Sequence, residues 1–156
     1  MFIRSYQEKD LEAIAALHHE AIAQGYLTPA AWESLAQGRA AGDREVLLVL
    51  ERQGQLVGWG RVGGYGDRLG YEFACETSIY VVPTVRGQGA GRRMQRSLLQ
   101  RAKALGYHHI VAQTLADHLG GLEFYKQLGF KVVGIQKEIF RFQDRWHDVV
   151  MLQLLL

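Results

Sequence analysis

The sequence predicts one domain of the mixed α/β class, and three observations predict it. Segments of strand character alternate with segments of helical periodicity along most of the chain. The chain opens and closes on strand patterns suited to antiparallel pairing. The closing one is a hairpin: Lys131 to Phe142, a turn at Gln143-Asp144-Arg145, then Trp146 to Leu155. Val46-Leu-Leu-Val-Leu50 is a continuous apolar run, as expected of a strand covered on both faces. With 156 residues, 48% hydrophobic and 22% charged, the chain has enough apolar material for one self-sufficient core.

The elements follow in order. A first strand is expected over Phe2 to Tyr6. A helix follows over Lys9 to Gln24, because Leu11, Ile14, Leu17 and Ala21 recur at helical spacing; Gly25 ends it. Thr28-Pro29 reads as an N-cap with proline in the first turn, opening a short helix to Gln37 with Trp32 and Leu35 on one face. After the apolar strand, Gln53-Gly54-Gln55 turns the chain into a strand over Leu56 to Val62. Gly63 to Gly70 is a loop, and Tyr71 to Val82 a long strand stopped by Pro83. Gly91 or Arg92 to Leu105 is a helix whose Met94, Leu98, Leu99, Ala102 and Leu105 face the core, with Gly106 as its C-cap. A strand over His109 to Thr114 and a helix over Leu119 to Leu128, ended by Gly129, lead into the hairpin.

Composition excludes several classes. Eighteen Lys and Arg against 16 Asp and Glu leave a formal charge of +2, too mild for a nucleic-acid surface. The longest apolar runs fall far short of the roughly 20 residues that span a bilayer, and the first ten residues have no apolar signal core. One cysteine, Cys75, forbids an internal disulfide and suits a reducing compartment, so cytoplasmic is the expected location. The six histidines make no metal pattern: His19-Glu20 begins one, but its second histidine would fall at Ala23. No metal is expected.

The richest segment is Tyr80-Val-Val-Pro-Thr-Val-Arg-Gly-Gln-Gly-Ala-Gly91, between a strand and a helix. Gly87, Gly89 and Gly91 let backbone approach a ligand or take positive φ. Successive N–H groups at a helix start then form a concave anion site, and Arg86 and Arg92 add full charges at its ends. The dinucleotide fingerprint fails, because its last glycine would fall at Arg92 or Met94, and no Gly-Lys pair exists for a P-loop. A plain glycine-rich turn with solvated arginines is the alternative.

This segment resembles the acetyl-CoA pyrophosphate loop of the GNAT superfamily, Arg/Gln-x-x-Gly-x-Gly/Ala. Leu122-Glu-Phe-Tyr-Lys-Gln-Leu-Gly-Phe130 is similar to its Phe-Tyr-x-x-x-Gly-Phe stretch, in the expected order. Glu76-Thr-Ser-Ile-Tyr-Val81 and Trp146-His147-Asp148-Val149 resemble a strand and a hairpin of the phosphinothricin acetyltransferase-like branch, which usually has His where this chain has Tyr125 and Asn where it has His118. The resemblance implies a mixed, mostly antiparallel central sheet flanked by helices, acetyl-CoA as co-substrate and no metal. It implies cofactor contacts from Ile79, Tyr80, Val81, Arg86, Gly87, Gln88, Gly89, Ala90, Gly91 and Arg92, and a hydrogen bond from His118 to the pantetheine. The backbone at Ile79 to Val81 would have to leave its neighbouring strand to make them. Relatives of that branch tend to be homodimers.

Acetyl transfer to a primary amine needs a base for the amine proton and an acid for the leaving thiolate. Glu76 is the candidate base: a carboxylate in an otherwise neutral strand is costly to bury without purpose, and the resemblance supports it. The alternative is an ion pair with Arg61 or Arg141 on a neighbouring strand. Tyr125 is the candidate acid, since a phenol stays protonated at neutral pH; the alternative is an aromatic filling the core beside Leu122 and Leu128. Cys75 points to the opposite face from Glu76 and reads as packing. The leading expectation is an N-acetyltransferase of a small, amino-acid-like amine, with Arg61 or Arg141 receiving its carboxylate. The alternatives are a protein amino-terminal or lysine acetyltransferase, and a non-catalytic acetyl-CoA sensor.

Overall fold

The computed structural model describes residues 1–24, 43–66 and 68–156. The expected helix from Thr28 to Gln37 lies outside the described residues. Among the described residues seven strands form one sheet: β1 (Phe2–Ser5), β2 (Val46–Arg52), β3 (Gln55–Gly64), β4 (Ala74–Val81), β5 (His109–Leu115), β6 (Lys131–Phe142) and β7 (Arg145–Leu155). Their order is β1-β2-β3-β4-β5-β7-β6. Every neighbouring pair is antiparallel except β4–β5, which is parallel. The mixed, mostly antiparallel sheet with a closing hairpin is therefore present.

Among the described residues three α-helices flank it: α1 (Leu11–Ala23), α2 (Ala90–Ala104) and α3 (Leu119–Gln127). Strand alternation sorts the core onto two faces. Leu47 and Val49 of β2, with Trp59 and Tyr80, pack with Ile14 and Ala21 of α1. Val46, Leu48 and Leu50 of the same strand pack on the other face with Met94, Leu98 and Ala102 of α2 and with Tyr125 of α3. The run 46–50 is buried throughout, as its unbroken apolar character requires. Cys75 lies wholly buried on the α2 face, while Glu76 is half-buried on the other.

Of the boundaries that differ from those read in the sequence, three have a visible local cause. β4 begins at Ala74 rather than Tyr71, because Tyr71 and Ala74 donate back to Arg68 and Tyr71 carbonyls and close turns there. A 3₁₀ turn over Glu8–Asp10 precedes α1, which starts at Leu11; Asp10 fixes the entry by accepting from Gln7 N–H at 2.7 Å and pairing with Arg4. The hairpin turns on two residues, Gln143 and Asp144, both with positive φ (53° and 58°), and β7 begins at Arg145. Two left-handed residues match the twist of the flanking strands, which is why the turn is tighter than expected.

Candidate active site

β4 and β5 pair only from Ala74↔His109 to Thr77↔Ala112, yet β4 continues to Val81 and β5 to Leu115. Beyond Thr77 the two strands part. On the other side β4 keeps its ladder with β3 as far as Val81↔Gly58, so the parting is local to the β4–β5 seam. It opens a cleft of about 550 Å³, lined by Ile79, Tyr80 and Val81 on β4 and by Gln113 and Thr114 on β5.

The glycine loop closes one end of this cleft. Pro83 starts a 3₁₀ turn, wholly buried Val85 anchors it, and Gly87 and Gly89 take φ of +77° and +82°. A side chain in either place would be strained, so these two positions need glycine. Gly89 is the N-cap of α2, and the first helical bond of the following turn runs from Arg93 N–H to its carbonyl at 3.1 Å. The N–H groups of α2's first turn lack intrahelical acceptors and are directed at whatever lies before the helix. Gly87, Gly89, Ala90, Gly91, Arg86 and Arg92 all line the cleft. Arg86 donates from Nε to the Val81 carbonyl at 2.7 Å with its guanidinium over the Tyr80 ring, and Arg92 Nη2 donates to Gln127 Oε1 at 2.6 Å.

α3 forms the opposite wall through His118, Gly120, Gly121, Phe124, Tyr125 and Gln127. The Tyr125 ring is fixed edge-on between Phe124 and Phe130, each centroid 5.2 Å away. Burial raises its hydroxyl well above the ordinary phenol range, and the negative charge of Glu76 adds to the effect. His118, the N-cap of α3, is half-buried; burial and the nearby Arg86 charge lower its imidazole pKa, which favours the neutral ring.

Glu76 does not line this cleft. It stands on the opposite face of β4 from Ile79 and Val81, at the second-last paired position before the strands part. Burial raises its carboxyl, and the Arg61 charge opposes the rise. Gln88 is exposed at the loop's outer side. Arg141 is exposed on β6, its guanidinium 5.2 Å from the Trp146 ring centre. Since β5 and β7 separate β6 from β4, the pairing of Glu76 with Arg141 as a neighbouring-strand residue is not realised. Gln113, Thr114, Phe124, Gln127 and the Gly120-Gly121 pair also line the cleft without having been singled out in the sequence. Two adjacent glycines at the start of an expected helix were the readable signal. Among the described residues no group of three or more His, Cys, Asp or Glu could hold a metal ion, and no helix is long and apolar enough to cross a membrane.

A cleft at a parted parallel seam, with an amide-rich loop at its end, suits a long, thin ligand carrying a diphosphate. Comparison with known proteins agrees. The acetyltransferase (GNAT) domain family matches residues 3–151. An L-methionine sulfoximine/L-methionine sulfone acetyltransferase of Pseudomonas aeruginosa is 27% identical, over 97% of this chain and 92% of the relative. A phosphinothricin N-acetyltransferase of Alcaligenes faecalis is 29% identical, over 97% and 80%. The solved structure of a GNAT superfamily phosphinothricin acetyltransferase from Sinorhizobium meliloti, in complex with AcCoA, superposes with a TM-score of 0.87 at 27% identity, over 99% of this chain and 88% of that one. The parted strands, the loop between β4 and α2 and the family match converge: this chain belongs to the GNAT family and is an acetyl-CoA-dependent N-acetyltransferase.

Proposed function

We propose that the enzyme acetylates the primary amine of a small, amino-acid-like substrate by direct attack, with Glu76 as base and Tyr125 as acid. The observation that carries the reading is the parting of β4 from β5 one residue beyond Glu76, at the cleft that Tyr125 lines. The substrate class is supported by relatives named for methionine sulfoximine, methionine sulfone and phosphinothricin.

The residues present fit acetyl-CoA. The amides and arginines of Arg86 to Arg92 would hold the diphosphate, and the freed edge of β4 at Ile79 to Val81 would hold the pantetheine, with His118 reaching it from α3. When bound, acetyl-CoA supplies a thioester that an uncharged amine can attack. Glu76, its pKa raised by burial above the ordinary carboxylate value, takes the amine proton directly or across one water molecule. The nitrogen–carbon bond forms as the carbon–sulfur bond breaks, and the sulfur needs a hydrogen. Tyr125 is protonated at any working pH. Its raised pKa makes complete transfer to a thiolate uphill, so it donates a hydrogen bond as charge grows on the sulfur, and the released thiolate takes its proton from water.

Self-association is proposed too: Val132, Val133, Ile135 and Ile139 are exposed on the edge strand β6, an apolar surface that a second copy would cover.

A thiol-release assay with acetyl-CoA and free amino acids, L-methionine sulfone and phosphinothricin included, tests the substrate reading. Release is expected with at least one small amine. Release with peptide amino termini or lysines alone favours the protein acetyltransferase, and no release despite measured acetyl-CoA binding favours a sensor.

A further inference from the structure

Glu76 stands opposite Gly63 of β3 in the sheet register. Continuing the β2–β3 register one step past Val46↔Val62 sets Glu45 opposite Gly63 on its other side. Three strands thus present a row, Glu45–Gly63–Glu76, on the face that carries α1. The middle position has no side chain, and Arg61, two residues away on the same strand and face, folds its guanidinium over it. A Cβ at residue 63 would stand 2.7 Å from Arg61 Cζ and 3.1 Å from Nε, so the missing side chain is what admits the guanidinium. Arg61 Nη2 is 3.4 Å from Glu45 Oε2, and its side chain is only 16% exposed. The strand is also pinned from behind: Thr77 Oγ1 donates to the Arg61 carbonyl at 2.9 Å and accepts from Gln95 Nε2 at 3.1 Å.

We propose that Arg61 is the built-in counter-charge of Glu76, seated by Glu45 and by the bare Cα of Gly63, and hence a positioning residue for the base rather than a receptor for the substrate's carboxylate. The inference rests on the reading of Glu76 as base. Burial without a partner raises a carboxylate's pKa, and to the extent that it keeps its proton it cannot accept the amine's. A carboxylate in an undivided pair with arginine ionises readily but is a weak base. A guanidinium paired with Glu45 and set beside Glu76 by the register would lie between these limits, so that counter-charge and general base belong to the same arrangement. Among the described residues, the charged and titratable groups about Glu76 are Arg61 from β3, Arg44 and Glu45 before β2, Tyr125 from α3 and Cys75 beside it; Arg44 acts on Cys75, and Arg61 is the cation that acts on Glu76.

The test is the pH profile of kcat/KM with acetyl-CoA and L-methionine sulfone. Arg61→Gln should move the acidic limb upward by about one to three pH units, the range for losing one close opposite charge. Arg61→Lys should bring it most of the way back. Gly63→Ala keeps Arg61 but fills its seat, and should shift the limb in the same direction. A limb that stays in place in both Arg61→Gln and Gly63→Ala, with KM for L-methionine sulfone raised instead, overturns the proposal and makes Arg61 a carboxylate receptor. Glu76→Gln separates the two claims. If the acidic limb persists in that variant, Glu76 is not the base and both readings fall; if it vanishes there yet does not move on losing Arg61, only the counter-charge falls.

Discussion

Tyr125 and His18 illustrate how burial sets the chemistry of a single side chain. Tyr125 is held between two aromatic rings at the cleft wall, and nothing in its setting favours the phenolate. Tyr125→Phe keeps the ring contacts and removes only the hydroxyl. Turnover should fall by about 10² to 10⁴-fold while acetyl-CoA affinity barely changes. Steady-state kinetics with calorimetric titration checks this, and undiminished turnover would remove the hydroxyl from the mechanism. His18 is wholly buried on α1 beside Trp59, with neither ring nitrogen hydrogen-bonded to a described residue. Burial, helped slightly by His19, lowers its pKa from 6.5 to about 4. The fold therefore favours the neutral ring. Its contribution to stability is complete above pH 6.5 and is lost as pH falls toward about 4, roughly 3 kcal/mol over that window. His18→Leu should flatten this part of the stability profile in denaturant titrations. An unchanged slope would show that other groups cause it.

At the scale of elements, the loop between β4 and α2 depends on backbone rather than side chains. Gly89→Val places a β-branched residue at φ +82° and at the N-cap of α2. Acetyl-CoA affinity should fall at least tenfold by calorimetry, while Tyr125 and Glu76 are untouched; normal affinity would refute the loop assignment. This loop was legible in the sequence because its signals are local: glycines, a proline, arginines and the onset of helical periodicity. The α2 core face was legible for the same reason, and Met94, Leu98 and Ala102 are all buried there. The start of β4 was not, since Tyr71, Glu72 and Phe73 have strand-like composition and only hydrogen bonds back to Arg68 and Tyr71 hold them in turns. The remoteness of Arg141 from Glu76 was equally hidden. It follows from β7 inserting between β5 and β6, a pairing across more than thirty residues of chain that no local pattern records.

For the whole molecule, the parallel seam is the feature with the widest consequence. β1 to β4 form one antiparallel plate and β5, β7 and β6 another, and their hydrogen-bonded join ends at Thr77↔Ala112. Such a seam is the natural line along which the protein breathes, because few backbone bonds resist its opening. A reactant lodged in that gap rivets the two plates together. Coenzyme A at a hundredfold excess over its Kd should add about 2.7 kcal/mol to global stability, visible as a rise in melting temperature. Amide exchange should slow most at residues 78–82 and 113–115, bordering the gap. Uniform slowing across both plates would mean that the seam is no weaker than the rest. The enzyme would thus be at its most rigid when loaded, with the spent carrier's departure loosening the same line that its arrival had closed.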